Sequence, residues 1–331
     1  MRIRRRTRIT IAVVVVILLM LAVAFYLRVK APPEAARLLP ESDGIVYLNL
    51  QPLRKVSHFD QHPVAHEPDY QSFIDATGIQ FERDLDAVAF ALHRMPNPAG
   101  PNGPVAFSEV FEGHFDGRKL AHYLEGLATV QESYAGHTIY SIPSDGRTVR
   151  VTMLGYDMVA VSNTPSAEQI HSILDRYRSA ALPFSGSSLL TDHYEEVPLL
   201  SLAWGIGEIG LPFGDSGEVS VMGVRLPVNF DSMFIASVRW TGSLHLRVDE
   251  IAQTEEAAAS SAESVKALVS FVRNAQGLIP GVTDADLKPL LDSIQIEHRK
   301  DRATLRATIP PLLLERLVVP GKLPPPVIGK Q

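Results

Sequence analysis

Three histidines, His58, His62 and His66, recur at four-residue intervals beside Asp60, Glu67 and Asp69. On an unbroken helix that spacing lines three imidazoles along one face, a nitrogen donor set suited to zinc. Pro63 stands inside the run and Pro68 follows it. A proline past the first turn removes a backbone hydrogen bond and clashes with the turn before it, so the segment reads as a polar surface loop and no metal is assigned to it. Gly214-Asp215-Ser216-Gly217 matches the tetrapeptide around the nucleophile of chymotrypsin-like proteases, where the backbone after the serine helps to form an oxyanion hole. Here Glu218 replaces the glycine expected next and no protease-type histidine context stands upstream, so these residues read as an ordinary turn. The pairs Asp84/Asp86, Glu195/Glu196 and Asp284/Asp286 read as solvated carboxylates without an acid–base role. No Gly-x-Ser-x-Gly, Ser-x-x-Lys, His-Glu-x-x-His, P-loop or Gly-x-Gly-x-x-Gly pattern is present. Catalytic, cofactor-binding and metal-binding residues are therefore all read as none.

Composition narrows the classes further. The 331 residues contain no cysteine, which excludes disulfides, thiolate metal sites, c-type haem attachment, a cysteine nucleophile and a lipoprotein anchor. Arg2, Arg4, Arg5, Arg6 and Arg8 crowd the first eight positions. Beyond them stand 31 less 5, or 26, basic residues against 37 acidic ones, a balance of −11 that argues against nucleic acid as a partner.

Those arginines precede an uncharged run from Ile9 to Leu27. Nineteen residues at about 1.5 Å each make a rod of roughly 28 Å, close to the thickness of a bilayer's hydrocarbon core. Ala22-Val23-Ala24 offers a signal-peptidase site, but the apolar run continues through Phe25, Tyr26 and Leu27 to Arg28 and Lys30, the pattern of a membrane–water boundary. The expectation is an uncleaved single-pass anchor over 9–27, with the basic stub 1–8 in the cytoplasm and the rest outside it.

Residues 28–42 hold three prolines and read as a spacer. Beyond them, strands are expected over 44–50, 85–93 and 105–114, the last two joined by the Pro/Gly/Asn-rich loop 94–104. Helices are expected over 70–77, stopped by Gly78, and over 116–127, opened by Asp116. Three short alternating runs over 137–142, 148–154 and 158–162 read as a meander, followed by a helix to 179 with Thr164 as cap and Pro165 at its first position. A hairpin turning at Thr241-Gly242, a helix over 254–276, strands over 294–298 and 303–309 and a short helix over 311–318 complete the pattern. The order strand, helix, strands, helix recurs. The expected fold is α+β, with two similar halves over 43–183 and 184–319, antiparallel strands backed by helices on one face, and a disordered tail over 320–331. Trp204 and Trp240 stand at strand positions among Leu and Ala and read as core.

Tyr70-x-x-Phe73-x-x-x-Thr77-Gly78, with Glu82-Arg83-Asp84-Leu85-Asp86 and Gly113-His114-Phe115-Asp116, resembles segments of an uncharacterised family of membrane-anchored proteins from acidobacteria and related bacteria. The resemblance covers about residues 40–320. It implies an N-terminal anchor and a strand–helix envelope domain, and no chemistry. The expected function is a non-catalytic binding or assembly module in the inner membrane, with the membrane bound through 9–27 and an envelope protein as partner. The alternatives are a periplasmic hydrolase working through carboxylates or the His58/His62/His66 segment, and a solute-binding domain with a cleft lined by Trp204 or Trp240.

Overall fold

A computed structural model of the chain describes residues 14–22, 30–57, 66–179, 186–208, 220–221, 224–225, 232–274 and 284–310. Its framework is a run of antiparallel strands in which alternating apolar residues bury one face after another. Strands β1 (Gly44–Asn49), β2 (Leu85–Arg94) and β3 (Val105–Gly113) form a meander. Four more follow, β4 (Val130–Tyr134), β5 (His137–Ser144), β6 (Arg147–Leu154) and β7 (Met158–Ser162), and β7 returns to pair with β3. A second meander comprises β8 (Ser201–Glu208), β11 (Met233–Trp240) and β12 (Leu244–Ile251), with the small pair β9 (Ser220–Val221) and β10 (Val224–Arg225) between its first two strands. After it β13 (Gln295–Arg299) and β14 (Arg302–Ile309) return so that β14 pairs with β12. Among the described residues twelve of these strands make one sheet, in the order β13-β14-β12-β11-β8-β1-β2-β3-β7-β6-β5-β4. The seam between the two strand sets is the antiparallel pair β1–β8, in register at Ile45↔Ile206 and Tyr47↔Trp204.

Helices cover both faces of this sheet, not one as the sequence pattern suggested. Helix α1 (Glu34–Leu38) and helix α6 (Glu168–Ser179) lie on the face that carries Ile45, Tyr47, Ile139 and Leu154. Ile170, Ile173 and Leu174 of α6 recur at the spacing that puts three side chains on one stripe, and all three are fully buried. Helix α7 (Ser188–His193) joins the same core through Leu190. The opposite face, with Tyr140, Val151 and Val159, is covered by Phe73 of helix α3 (Pro68–Thr77) and by Leu120 and Leu124 of helix α5 (Gly117–Leu127). Successive residues of β5 and β7 thus enter different cores, which explains why Met158-Val159-Ala160-Val161 is apolar throughout. At the far end of the sheet the alanines Ala258 and Ala262 of helix α8 (Glu255–Asn274) lie close against Ala303. Helix α9 (Asp284–Ser293) follows against β14.

Several local expectations meet their physical causes. Gly78 ends α3 at φ 75, a conformation glycine adopts without strain. Asp116 accepts from the backbone N–H groups of Arg118 and Lys119 and so caps α5. Thr164 does not cap α6. Its hydroxyl is buried and donates to the Ser166 carbonyl, while the Ser166 hydroxyl accepts from Glu168 N–H, so the helix starts at Glu168.

The segment expected to be a spacer over 28–42 is packed from residue 34 onward. Pro33 stands at the N-cap of α1, and Ala35, Ala36, Leu38 and Leu39 are all at most 1% exposed in the largest core. The folded domain therefore begins ten residues before β1. Among the described residues no helix is long and apolar enough to cross a membrane. Residues 14–22 are helical with Val14 to Leu21 exposed, and the remainder of the expected anchor, the expected helix over 311–318 and the tail over 320–331 lie outside the described residues. Replacing Leu39 by Ala is expected to cost about 2–5 kcal/mol of unfolding free energy by removing a buried side chain. Urea denaturation of the full chain reads this directly, and a loss within about 0.5 kcal/mol would mean that the segment is a spacer after all.

Candidate functional site

Four of the places where strands and helices gather polar side chains bear on chemistry. The first lines a cleft of about 730 Å³ between β4 and α6, bounded by Tyr134, Ala167, Glu168, His171, Ser172, Asp175, Arg176 and Ser179. His171 lies one helical turn before Asp175, so both face β4. Its ring stacks on Tyr134 at 3.9 Å between centroids and 10° between planes, and its Nε2 lies 2.9 Å from Glu132 Oε1. The Tyr134 hydroxyl donates to Asp175 at 2.9 Å, a bond that raises its pKa because the carboxylate favours the protonated phenol. Arg176 reaches Glu41 at 2.8 Å, and Glu41 also accepts from the backbone N–H and hydroxyl of Ser188. Burial alone would raise the Glu41 carboxyl, but the bonds from Ser188 and Arg176 hold it below its ordinary value. The Ser179 hydroxyl donates to the carbonyls of Asp175 and Arg176, so it is turned away from any nucleophilic use. The cleft can hold a small polar or aromatic solute by stacking and ion pairing.

The second group holds a histidine beside a serine. His93 Nε2 is 2.9 Å from Ser108 Oγ, Ser108 is 3.2 Å from Ser162 Oγ, and Ser162 is 2.9 Å from Thr164 Oγ1. His93 is 6% exposed and Ser108 is wholly buried, so no substrate reaches this pair. Burial lowers the His93 pKa, which keeps the ring neutral at pH 7. The chain of hydroxyls stitches β2, β3 and β7 together. Sequence reasoning missed it because His93 and Ser108 are fifteen positions apart and meet only through the β2–β3 register.

The third group sits where helix α4 (Phe81–Asp84) leads into β2. Arg54 pairs with Asp86 at 3.1 Å and donates to the carbonyls of Glu82 and Leu85, while His114 Nδ1 lies 3.4 Å from the other Asp86 oxygen. Tyr70 donates to Glu82 at 2.9 Å, and His66 Nε2 lies 3.3 Å from the same carboxylate. Of the three histidines at four-residue spacing, His58 and His62 lie outside the described residues. Among the described residues no group of three or more His, Asp or Glu side chains is arranged to hold a metal ion. Asp84 and Asp86, expected to be solvated, are instead engaged, Asp84 by Arg83 and by Gln80 N–H. Glu196 likewise pairs with Arg302 and His193, the side chains of Asp284 and Asp286 lie outside the described ones, and so does Gly214-Asp215-Ser216-Gly217. Trp204 is buried, stacked on Tyr47 and edge-on to Tyr194, and neither it nor Trp240 lines the cleft.

The fourth is a single group, Glu109, which the sequence reading did not single out. It stands on the apolar face of β3, opposite Phe90 on β2 and Val161 on β7, with no hydrogen bond or ion pair to a described residue. Burial pushes its carboxyl up to about 7.

No family model and no curated protein matches the chain. Solved structures of TP0453 are similar in outline. Its crystal form III is 12% identical over 87% of this chain and 98% of that one, with a TM-score of 0.47. Crystal form IV is 14% identical over 86% and 94%, with a TM-score of 0.45. Likeness at this level supplies no argument about a site.

Glu109 yields a pH prediction. A carboxyl raised in the folded state binds its proton more tightly there than in the unfolded chain, so its contribution is fully present below the unfolded value near 4.5 and is lost as pH rises to about 7. Glu109→Gln is expected to be more stable than the parent at pH 8, by on the order of 2 kcal/mol, and equal to it at pH 4. Thermal unfolding across that range tests this, and parallel curves for the two proteins would refute it.

Proposed function

We propose that the chain is a single-pass membrane-anchored envelope protein whose folded domain is a non-catalytic binding or assembly module. The observation that carries the reading is the arrangement at its start. An uncharged run over 9–27 follows five arginines, and only six residues separate it from α1, whose apolar side chains are locked into the core. A domain so tethered works at the membrane surface, with the basic stub on the cytoplasmic side. The polar clusters described above support a structural or binding role, because their hydrogen bonds are spent on joining strands and helices. An open edge supports assembly. Four of the five residues of β4 are exposed, and among the described residues it pairs only with β5, so its outer backbone groups are free to accept a partner's strand. The proposed location is the inner membrane with the domain in the periplasm, and the proposed partner is another envelope protein.

A solute-binding role is the second reading, favoured by the cleft between β4 and α6 with its His171–Tyr134 stack. It differs from the expected cleft lined by tryptophan.

Membrane retention and partner capture test the leading reading together. The full-length protein is expected to remain with membranes through alkaline carbonate extraction, to start at its first residues by N-terminal sequencing, and to crosslink reproducibly to one envelope protein in intact cells. Recovery of a soluble protein beginning near Phe25 would overturn the anchor, and a chain that crosslinks to nothing would overturn the assembly role.

A further inference from the structure

The sheet has two ends, and they differ in character. At one lie the close of β1, the start of β2, the close of β3, the β6–β7 turn, the start of β8 and the β11–β12 turn, as the registers Asn49↔Ala87, Leu85↔Gly113, Leu154↔Met158 and Trp240↔Leu244 require. The other end carries the start of β1 and the close of β8, where Gly44 meets Gly207. Among the described residues beyond 22, large apolar side chains left exposed concentrate at the first end. They are Leu53 (39%), Phe81 (43%), Tyr156 (97%), Leu199 (52%), Leu200 (87%) and Phe271 (59%). The opposite end has Leu127 and Val130. Leu200 is moreover held at φ 62, a left-handed conformation unfavourable for a leucine, while its side chain is exposed.

The chain enters the domain at the same end. Glu34, the first residue of α1, is near enough to Glu112 at the close of β3 to help raise that carboxyl, after burial and Asp157 and ahead of Asp86. From there α1 leads across the sheet to Gly44 at the opposite end. The six residues 28–33 can span at most about 20 Å, at roughly 3.5 Å per residue, so the end that carries Glu34 cannot stand far from the residues expected in the bilayer.

Resting on the anchor reading above, we propose that this end of the sheet is the domain's membrane-facing surface. Tyr156, Leu199 and Leu200 sit in the headgroup layer of the bilayer that holds residues 9–27. A tyrosine at a turn tip suits that layer, with its ring among the upper acyl carbons and its hydroxyl in water, and leucine beside it adds buried apolar area. The occupant is lipid, because the tether brings this surface to the bilayer whether or not another protein is present.

The absence of cysteine makes the test direct. Single-cysteine variants Tyr156→Cys, Leu200→Cys, Leu127→Cys and Val130→Cys of the full chain are labelled with an environment-sensitive fluorophore. They are reconstituted in phosphatidylethanolamine–phosphatidylglycerol vesicles that carry a headgroup-depth nitroxide lipid. Labels at 156 and 200 are expected to be quenched about threefold more than those at 127 and 130, with blue-shifted emission. Carbonate extraction of the same vesicles separates the two claims. Retained protein with equal quenching at both ends overturns the orientation and leaves the anchor standing, whereas protein that washes free overturns the anchor and the orientation with it. Shielding at 156 and 200 that ignores the lipid quencher and grows with protein density would assign the surface to a second copy of the chain and also overturn the proposal.

Discussion

β1 and β8 meet with almost no room between their backbones. A Cβ on Gly207 would lie 2.5 Å from Gly44 Cα and 2.7 Å from the Asp43 carbonyl oxygen, so the seam closes only because glycine stands there. Along the same pair Trp204 stacks on Tyr47 at 5.5 Å and meets Tyr194 at 5.3 Å, which places an aromatic contact of the core on the join between the two strand sets. β1 is also the strand into which α1 leads, and β2 on its other side receives Arg54 from helix α2 (Leu50–Ser57) through Asp86. The sheet's continuity, the burial of α1 and the order at the entry end all depend on this seam.

What the sequence made legible was the part governed by neighbours along the chain. Gly78 and Asp116 mark helix ends because each satisfies local backbone groups, and the paired runs around Thr241-Gly242 form a hairpin because their register is set by the turn between them. What stayed hidden depends on distant partners. Glu34-Ala35-Ala36-Arg37-Leu38 lies among Pro32, Pro33 and Pro40 and looks like a linker. Its helix is too short to stand alone, and it exists because the sheet and α6 bury its apolar side. β4 was missed because an exposed edge strand needs no apolar alternation, and Val-Gln-Glu-Ser-Tyr has none. Gly207 of β8 carries no signal along the chain, because its role is close approach to Gly44 on another strand.

The candidate site was less legible than the fold. Patterns defined by sequence spacing, the three histidines and Gly-Asp-Ser-Gly, fall largely outside the described residues. The groups that do meet, His171 with Tyr134 and Glu132, or His93 with Ser108, come from separate elements joined only by tertiary packing. Accessibility then divides them. The His93–Ser108 pair has the chemistry of a nucleophile and its base but is sealed by β2, β3 and β7, so its bonds hold strands together. The His171 group has solvent access, but its serine is turned to backbone carbonyls.

A short tether changes what exposure means. On a freely tumbling domain, an 87% exposed leucine in a strained conformation is a cost without return. On a domain anchored as proposed, with α1 locked into the core six residues after an apolar run, one end would meet the bilayer, and apolar turns at that end would become contact surface. The same geometry sorts the remaining surfaces. In the proposed orientation, the far end with Leu127 and Val130, the outer edge of β4 and the cleft beside α6 would be the places where a partner could reach the domain. β4 and α6 are adjacent there, joined by the Tyr134–Asp175 and Glu132–His171 bonds. A strand added to that edge would therefore lie beside the one cleft described, so that pairing along the backbone and contact with the His171–Tyr134 stack become parts of one interface.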